Sequence, residues 1–418
     1  MFEYGLLHAI LIIASIYLFG FLYAIPGLII LVIAIDKLLD YFGYSRLCNR
    51  EIINSYEHKT KNYNMTGYME IDKITLEEFK DTFIDRALTK VRKLRKVLVF
   101  RFGIGLWKDI HISEAMNQIF KDDTVLQSHE EIIDYCCKIN NEKMDRTKPL
   151  WEFRVIENYT STTSLIIYRI HHCFTDGVGF ASLMSTINDE QFSSKLNRKV
   201  VIPSVMDKVK YAITAPLNLK KIESITGKWC TDKMAKKIEE TKRGDHLTTK
   251  FFASKEYDFK DIKKCYKQFP KMTFNGFVFS VLGKSLNQFF KLNNIDGAKK
   301  ILAYFPVNLR PMPTSYKDLY LDNCFSTSNV ELPLNESIST IHETISPFIT
   351  TLVTDEFLYA SYYFLQLISY FPKKFACIMI DSFVAKLNAS VSNIPFSDVP
   401  WKINGKEIKT VTFNSSIV

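Results

Sequence analysis

The sequence has few of the residues from which many catalytic and metal sites are built. Its 418 residues include only eight histidines and eight cysteines. The cysteines form no C-x-x-C pair, and no cysteine–histidine spacing matches a zinc site, so the sequence predicts no bound metal. The G-x-S-x-G elbow is also absent, which leaves a serine-hydrolase triad without its nucleophile. The scattered cysteines are typical of reduced thiols.

Concentrated positive charge is absent as well. The formal net charge is +9, but the 54 lysines and arginines are spread along the chain and form no short basic cluster. This pattern predicts no nucleic-acid partner and is typical of a solvated lysine-rich surface. Hydrophobic residues make up 47% of the chain. That share at this length predicts a globular protein with two domains or one bipartite unit.

One long segment near the start has no charge at all. Residues 5–35 contain no Asp, Glu, Lys or Arg, whereas a helix crosses the hydrocarbon core in about 20 residues. The run fits either one long span, kinked near Pro26, or a helix–turn–half-helix embedded in one leaflet. Basic residues follow it, so we expect a lipid-bilayer partner, at the endoplasmic reticulum, with the remaining chain on the cytosolic side. Its N-x-S/T sequons should then carry no sugar.

Hydrophobic periodicity divides the rest of the chain into two stretches with a similar order of strands and helices. We expect a membrane anchor and interfacial segment at 1–50, an N-terminal lobe at 51–188, a linker at 189–250 and a C-terminal lobe at 251–418. Strands are predicted at 65–72, 96–107, 151–157, 164–172, 251–259, 300–311 and 322–334. Helices are predicted at 75–94, 128–144, 176–189, 259–269 and 273–292, with two buried or interfacial helices within 357–387.

Two adjacent histidines close one of these strands, in "RIHHCFTDGVGF" at residues 169–180. A neutral imidazole accepts a proton near pH 7, and a strand end holds it in a fixed position. Alternation along a strand directs His171 and His172 to opposite faces, so one of them faces the chemistry. Asp176 could bond backbone amides or pair with an arginine. A histidine pair alone is commonly a core feature, but the Asp and Gly at this offset favour catalysis.

The stretch "HHCFTDG" matches the HHxxxDG motif of the coenzyme-A-dependent acyltransferase superfamily. Within it the chain most resembles the wax ester synthase/diacylglycerol acyltransferase family. Four further stretches are similar to that family's motifs, namely "KPLWEFRVIE" (148–157), "TFNGFVFSVLGKSL" (273–286), "FPVNLRP" (305–311) and "ASVSNIPF" (389–396). Gly276 departs from the pattern, because it stands where the family's T-x-N-D segment has an acid.

The resemblance implies an α/β (α+β) fold of two chloramphenicol-acetyltransferase-like lobes, with the active site between them, preceded by the membrane anchor. It implies a membrane-bound O-acyltransferase that moves a fatty acyl group from acyl-CoA to a long-chain alcohol or diacylglycerol. No cofactor is bound, and acyl-CoA is the co-substrate. His172 is then the general base and His171 its support, and Asp176 pairs with Arg310 of the second lobe.

The same resemblance assigns substrate contacts to a further set of residues, each of which has an alternative structural role. Leu150 and Trp151 either line the cleft or pack the core, and Asn275 either faces substrate or serves its helix. Ser392 and Asn393 either hydrogen-bond an oxyanion or form a plain turn. Gly177 and Asn308 complete the set.

Two other functions remain open on the sequence. The chain could acylate a different small alcohol or an amine, with the same chemistry at His172. It could also be a catalytically silent lipid-binding protein that keeps the same cleft.

Overall fold

The computed structural model describes a defined part of the chain. The described residues are 30, 31, 34–47, 51, 55, 63–101, 104–193, 203–208, 210, 211, 214, 250–254, 256–294, 299–352, 355–369, 389–394, 396, 397 and 399–415. The expectations for most of the apolar run 5–35, for most of the 189–250 linker and for residues 370–387 therefore lie outside the described residues.

The N-terminal lobe is built on a seven-stranded sheet. Along its main path the strands run in the order β11-β12-β2-β7-β6-β5, and β13 also pairs with β2. The strands are β2 (Asn64–Asp72), β5 (Ile119–Lys121), β6 (Trp151–Ile156), β7 (Thr163–His171), β11 (Lys402–Ile403), β12 (Lys406–Val411) and β13 (Asn414–Ser415). The helices of this lobe are α1 (Leu76–Phe83), α2 (Ile112–Ala115), α3 (His129–Asn141) and α4 (Gly177–Ile187).

Local sequence explains where α1 and α3 begin. Thr75 accepts a hydrogen bond from the Glu78 amide, and the Glu78 carboxylate accepts one from the Thr75 amide, which completes the predicted capping box. Ser128 caps α3 through the Glu131 amide. The helix predicted at 75–94 is shorter than expected. It continues beyond α1 only as a π-helical turn, Ile84–Leu88, and is followed by a 3₁₀ turn, Arg92–Arg95.

The hairpin predicted around the histidine strand is confirmed. Strands β6 and β7 pair antiparallel, with Trp151 opposite Ile170 and Ile156 opposite Leu165. Strand β7 also pairs along its full length with β2, from Thr163 opposite Asp72 to His171 opposite Asn64. The histidine strand therefore lies inside the sheet, hydrogen-bonded on both sides, which gives its end a rigid position.

A second, three-stranded sheet corrects one prediction. The single strand expected at 96–107 is a hairpin of β3 (Lys96–Arg101) and β4 (Ile104–Asp109). Strand β1 (Tyr44–Arg46) adds to β4 and gives the order β1-β4-β3.

The C-terminal lobe has a third sheet in the order β10-β8-β9. Strands β8 (Lys300–Asn308) and β9 (Phe325–Pro333) pair antiparallel, and β10 (Ala389–Ser390) pairs parallel with β8. Its helices are α5 (Phe259–Lys267), α6 (Phe274–Leu292), α7 (Ile338–Leu352) and α8 (Asp355–Ser369). The strand predicted at 251–259 is wrong, because the described residues there form no strand and α5 begins at Phe259.

The end of the chain crosses back to the first lobe. Strands β12 and β13 both pair antiparallel with β2, and the Tyr168 hydroxyl donates to the Thr412 carbonyl. These strands fall within the 251–418 segment predicted as the C-terminal lobe. The division of the chain into lobes is therefore not simply sequential. Among the described residues, no helix has the length and apolar character needed to cross a bilayer.

Candidate active site

His172 lies directly after the last residue of β7. Its backbone amide donates to the Tyr63 carbonyl at 2.6 Å, and its own carbonyl accepts from Asn323 Nδ2 at 2.8 Å. Asn323 belongs to the C-terminal lobe, so the second lobe holds the backbone of this histidine from the far side. The imidazole is 3% exposed and lies 6.0 Å, between ring centroids, from Phe325. Both lobes therefore fix the position of His172.

Burial sets the protonation state of His172. Loss of solvent around the imidazole lowers the pKa of His172 to about 4, and the nearby Asp176 carboxylate opposes this effect only in part. A histidine with this pKa is neutral at pH 7, which is the form that accepts a proton.

His171 has a different environment. It ends β7, is buried, and its Nδ1 accepts a hydrogen bond from the Cys173 amide at 3.1 Å. Its carbonyl accepts from the Phe174 amide at 2.8 Å, which closes the turn that follows the strand. These contacts fit the predicted supporting role, because they shape the backbone on which His172 is mounted.

Asp176 joins the loop to the C-terminal lobe. One carboxylate oxygen caps α4 through the Gly179 amide at 2.8 Å and also pairs with Arg310. The other accepts from the Cys324 amide at 2.9 Å. The ion pair expected between Asp176 and Arg310 is therefore present, and both side chains are buried. Both carboxylate oxygens of Asp176 are therefore occupied by partners within the protein.

Arg310 is itself held in place by the turn after β8. The Asn308 side chain donates to the Arg310 carbonyl at 2.6 Å and accepts from its amide at 3.4 Å. Asn308, predicted to contact substrate, is thus used in shaping the turn that presents Arg310.

The structure brings together four of the other predicted contact residues. Asn393 Nδ2 donates to Asn275 Oδ1 at 3.0 Å, and both side chains are exposed. Ile394, which follows Asn393, lies so close to Gly177 that a Cβ at this position would collide with it. Glycine therefore permits this close approach. Ser392 is exposed beside them. Residues 392–394 therefore lie against the start of α4 at Gly177 and the start of α6 at Asn275, and Asn275, Ser392 and Asn393 form an exposed polar rim there.

Leu150 and Trp151 are a correction to the predicted substrate contacts. Their side chains are 1% and 0% exposed, respectively, within the core of the N-terminal lobe. The Trp151 ring packs on Phe83, and its Nε1 donates to the Leu94 carbonyl at 3.0 Å. A satisfied tryptophan in this position packs the core, so the structural alternative is the one observed.

The sequence gives no sign of the segment that approaches the histidine loop, residues 172–179, from the second lobe. It predicts Asn323 and Cys324 only as the start of a strand, yet they bond His172 and Asp176. An Asp-Asn pair before an apolar strand was the available local signal, but no local pattern gives contacts across about 150 residues.

Metal ligands do not cluster in the part of the chain that the structure describes. No group of three or more His, Cys, Asp or Glu residues there could hold an ion. The described cysteines are free thiols, and Cys173, inside the histidine loop, is buried.

Part of the chain is similar in sequence to one family of known proteins. Residues 128–228 match the wax ester synthase/diacylglycerol acyltransferase catalytic domain. A probable diacyglycerol O-acyltransferase of Mycobacterium tuberculosis is 29% identical over 109 residues, 26% of this chain and 24% of that protein. The wax ester synthase/diacylglycerol acyltransferase 1 of Arabidopsis thaliana is 41% identical over 61 residues, 14% of this chain and 13% of that protein. The chain thus matches a quarter or less of the length of these relatives.

Solved structures match over most of the chain. The wax ester synthase/diacylglycerol acyltransferase of Marinobacter aquaeolei VT8 has a TM-score of 0.56 at 16% identity, covering 89% of this chain and 87% of that one. The starter condensation domain of rhizomide synthetase, in complex with C8-CoA and Leu-SNAC, has a TM-score of 0.54 at 10% identity. It covers 91% of this chain and 84% of that one.

The two lobes, with an HHxxxDG loop bonded across their junction, define a protein of the chloramphenicol-acetyltransferase-like fold. Within that fold, the matched catalytic-domain segment contains the histidine loop. The resemblance to the wax ester synthase/diacylglycerol acyltransferase family, predicted from the motifs, is confirmed.

Proposed function

We propose that this chain is an acyl-CoA-dependent O-acyltransferase that esterifies a long-chain alcohol or diacylglycerol, giving a wax ester or triacylglycerol. The observation that carries the proposal is the environment of His172. It is a buried imidazole, neutral at pH 7, on a loop that both lobes hold. The family of the matched segment supports acyl-CoA and a hydroxyl acceptor as the substrates.

In the proposed reaction, His172 removes the proton from the acceptor hydroxyl as its oxygen attacks the thioester carbonyl carbon. The resulting tetrahedral intermediate collapses, and the carbon–sulfur bond breaks. The imidazolium returns the proton to the departing thiolate, so the products are the ester and free CoA. No covalent acyl-enzyme forms, which agrees with a sequence that has no serine elbow.

The remaining residues hold the base in position and do not themselves transfer the proton. Asp176 and Arg310 hold the loop in shape, and His171 supports the turn. General-base assistance typically contributes a factor of about 10²–10⁴ in rate. Positioning of the two substrates between the lobes must supply the rest. The rim of Asn275 and Asn393 offers amide groups suited to a carbonyl oxygen that gains negative charge.

The acceptor is tested with purified protein in detergent micelles. Radiolabelled palmitoyl-CoA is offered with hexadecanol, with dioleoylglycerol, with a short alcohol or with a long-chain amine. We expect labelled ester from the first two acceptors and release of one CoA for each ester formed. Product from only the short alcohol or the amine would contradict the lipid acceptor. Absence of both ester and free CoA would indicate the catalytically silent alternative.

A membrane location is a second part of the proposal. Residues 34–41 are helical, and the large apolar side chains of Leu38, Tyr41 and Phe42 are 58%, 83% and 63% exposed. Leu38 and Tyr41 are three residues apart, so they share one face of the helix. Exposed aromatic and aliphatic groups that directly follow an uncharged run are typical of a membrane interface. Lipid acceptors dissolved in the same bilayer would then be close to the site.

Flotation on a density gradient with liposomes tests this location. The full chain should float, and exchange of Leu38, Tyr41 and Phe42 for serine should weaken that association. A full chain that does not float would contradict the membrane location. Orientation is tested separately at Asn158, which is exposed in the β6–β7 turn within an N-Y-T sequon. A cytosolic lobe leaves this asparagine bare, so a glycosidase-sensitive shift at Asn158 would contradict the orientation.

A further inference from the structure

A short segment of the second lobe, residues 320–324, lies against the histidine loop. Asn323 Nδ2 donates to the His172 carbonyl at 2.8 Å, and the Cys324 amide donates to Asp176 at 2.9 Å. Arg310 adds hydrogen bonds to the Tyr320 carbonyl, at 3.1 Å, and to the Asp322 carbonyl. Any shift of this segment would therefore move the backbone that carries His172.

The Asp322 side chain reaches the N-terminal lobe. Its carboxylate pairs with Lys93 Nζ, and the same ammonium pairs with Glu51. Side-chain exposure is 11% for Lys93, 1% for Glu51 and 31% for Asp322. Among the described residues this is a largely buried cluster of one cation and two carboxylates, unlike the exposed Lys300–Glu331 pair. Removal of one partner from such a cluster leaves uncompensated charge.

The Lys93 ammonium also lies against the histidine loop itself. It is 5.4 Å from the ring centroid of Phe174 and 5.5 Å from that of Trp107, and these two rings pack edge to face. Trp107 Nε1 donates to the second carboxylate oxygen of Glu51 at 2.9 Å. Lys93 thus contacts the histidine loop on one side and the 320–324 segment on the other.

The two carboxyl groups of the cluster have different pKa values. Burial alone would raise the pKa of Asp322, but the Lys93 ammonium, together with hydrogen bonds from Glu51 and Tyr320, outweighs that effect, and the pKa is lowered. Burial raises the pKa of Glu51 to about 7, despite its pairing with Lys93. Near neutral pH the Asp322 carboxylate is therefore ionised, and its pair with Lys93 is one of the contacts that join the lobes.

We propose that Lys93 is a positioning residue for His172, acting through Asp322 to hold the 320–324 segment against the histidine loop. The kinetic readout of this proposal rests on the proposed acyl transfer. Lys93 does not touch the reacting atoms. It fixes the distance between the two halves of the site, so its loss should lower kcat while substrate binding stays nearly intact.

The kinetic test compares Lys93→Met and Asp322→Asn with the wild type. We expect kcat to fall by about 10- to 100-fold in both, with KM for acyl-CoA within about threefold, because misplacement by about 1 Å costs this much. Lys93→Arg should recover part of the loss, since a guanidinium still pairs with a carboxylate. The double variant Lys93→Met/Asp322→Asn should be no worse than the poorer single variant, because both changes break one link.

Lys300→Met is the matched control, because Lys300 pairs with Glu331 on an exposed part of the C-terminal sheet. Hydrogen–deuterium exchange gives a readout that needs no activity. Peptides covering 172–179 and 320–326 should exchange faster in Lys93→Met and Asp322→Asn, and at the wild-type rate in Lys300→Met.

Unchanged exchange in these peptides, or kcat within about twofold of wild type in both folded variants, would overturn the proposal. If Lys93→Met does not fold, Asp322→Asn carries the test. A wild type that transfers no acyl group would defeat the proposed function, and exchange would still decide whether Lys93 holds the segment.

Discussion

At the residue scale, the site depends on one imidazole whose surroundings remove its charge. An exposed histidine has a pKa of about 6.5, whereas burial lowers the pKa of His172 to about 4. The sequence indicated this residue from the HHxxxDG pattern. It could not indicate the size of the shift, because the desolvating groups come from both lobes.

The shift predicts the acid side of the pH–rate profile. The base works when unprotonated, so activity is retained above the pKa and is lost as pH falls through it. As pH is lowered from neutral, we expect kcat/KM to stay constant through pH 6.5 and to fall to half its maximum near pH 4. Circular dichroism at each pH shows whether the fold persists. A folded protein that loses activity with a midpoint near 6.5 would show that His172 is not buried as described.

The buried Asp176–Arg310 pair gives a second prediction at this scale. Arg310→Met leaves the Asp176 carboxylate buried without its cation, so the free energy of unfolding should fall by about 3–5 kcal/mol. The exposed Lys300–Glu331 pair provides the comparison, and Lys300→Met should cost no more than about 1 kcal/mol. Urea unfolding of the two variants measures both values. Similar losses would mean that the Asp176–Arg310 pair is not a buried link between the lobes.

At the element scale, the sequence predicted features that depend on neighbouring residues. It did not predict how distant strands pair. The Thr75–Glu78 capping box was predictable because its partners are three residues apart. The strand expected at 251–259 had a suitable composition, but a strand also needs a neighbour, and none pairs with it among the described residues. The sequence predicts one strand where the β3–β4 hairpin forms, because no Asn-Gly or Asp-Gly pair marks the reversal.

The contact between α6 and α7 gives a prediction at this scale. Gly276 stands where the family's pattern has an acid, and a Cβ on Gly276 would come within 2.8 Å of His342 Nδ1. Gly276→Ala should therefore destabilise the protein by about 1–3 kcal/mol through overpacking. Addition of His342→Ala should relieve the clash, so the double variant should lose less than the two single losses combined. Additive losses in thermal unfolding would contradict this contact.

At the scale of the whole molecule, the two lobes are connected in both directions. The last strands of the chain, β12 and β13, complete the first lobe's sheet. Asn323, Cys324 and Arg310 reach the histidine loop from the second lobe. The sequence predicted two α/β lobes and their motifs. It could not predict that β12 and β13 pair with β2, since β2 and β12 are separated by more than 300 residues.

We propose His172 as the general base of direct acyl transfer between the lobes. Its most direct test is the single-turnover rate of ester formation from acyl-CoA in His172→Gln, with His111→Gln, an exposed histidine, as the control. We predict a loss of about 10²–10⁴-fold in His172→Gln, with the affinity for acyl-CoA retained and no loss in the control. A His172→Gln rate within about threefold of wild type would contradict the account.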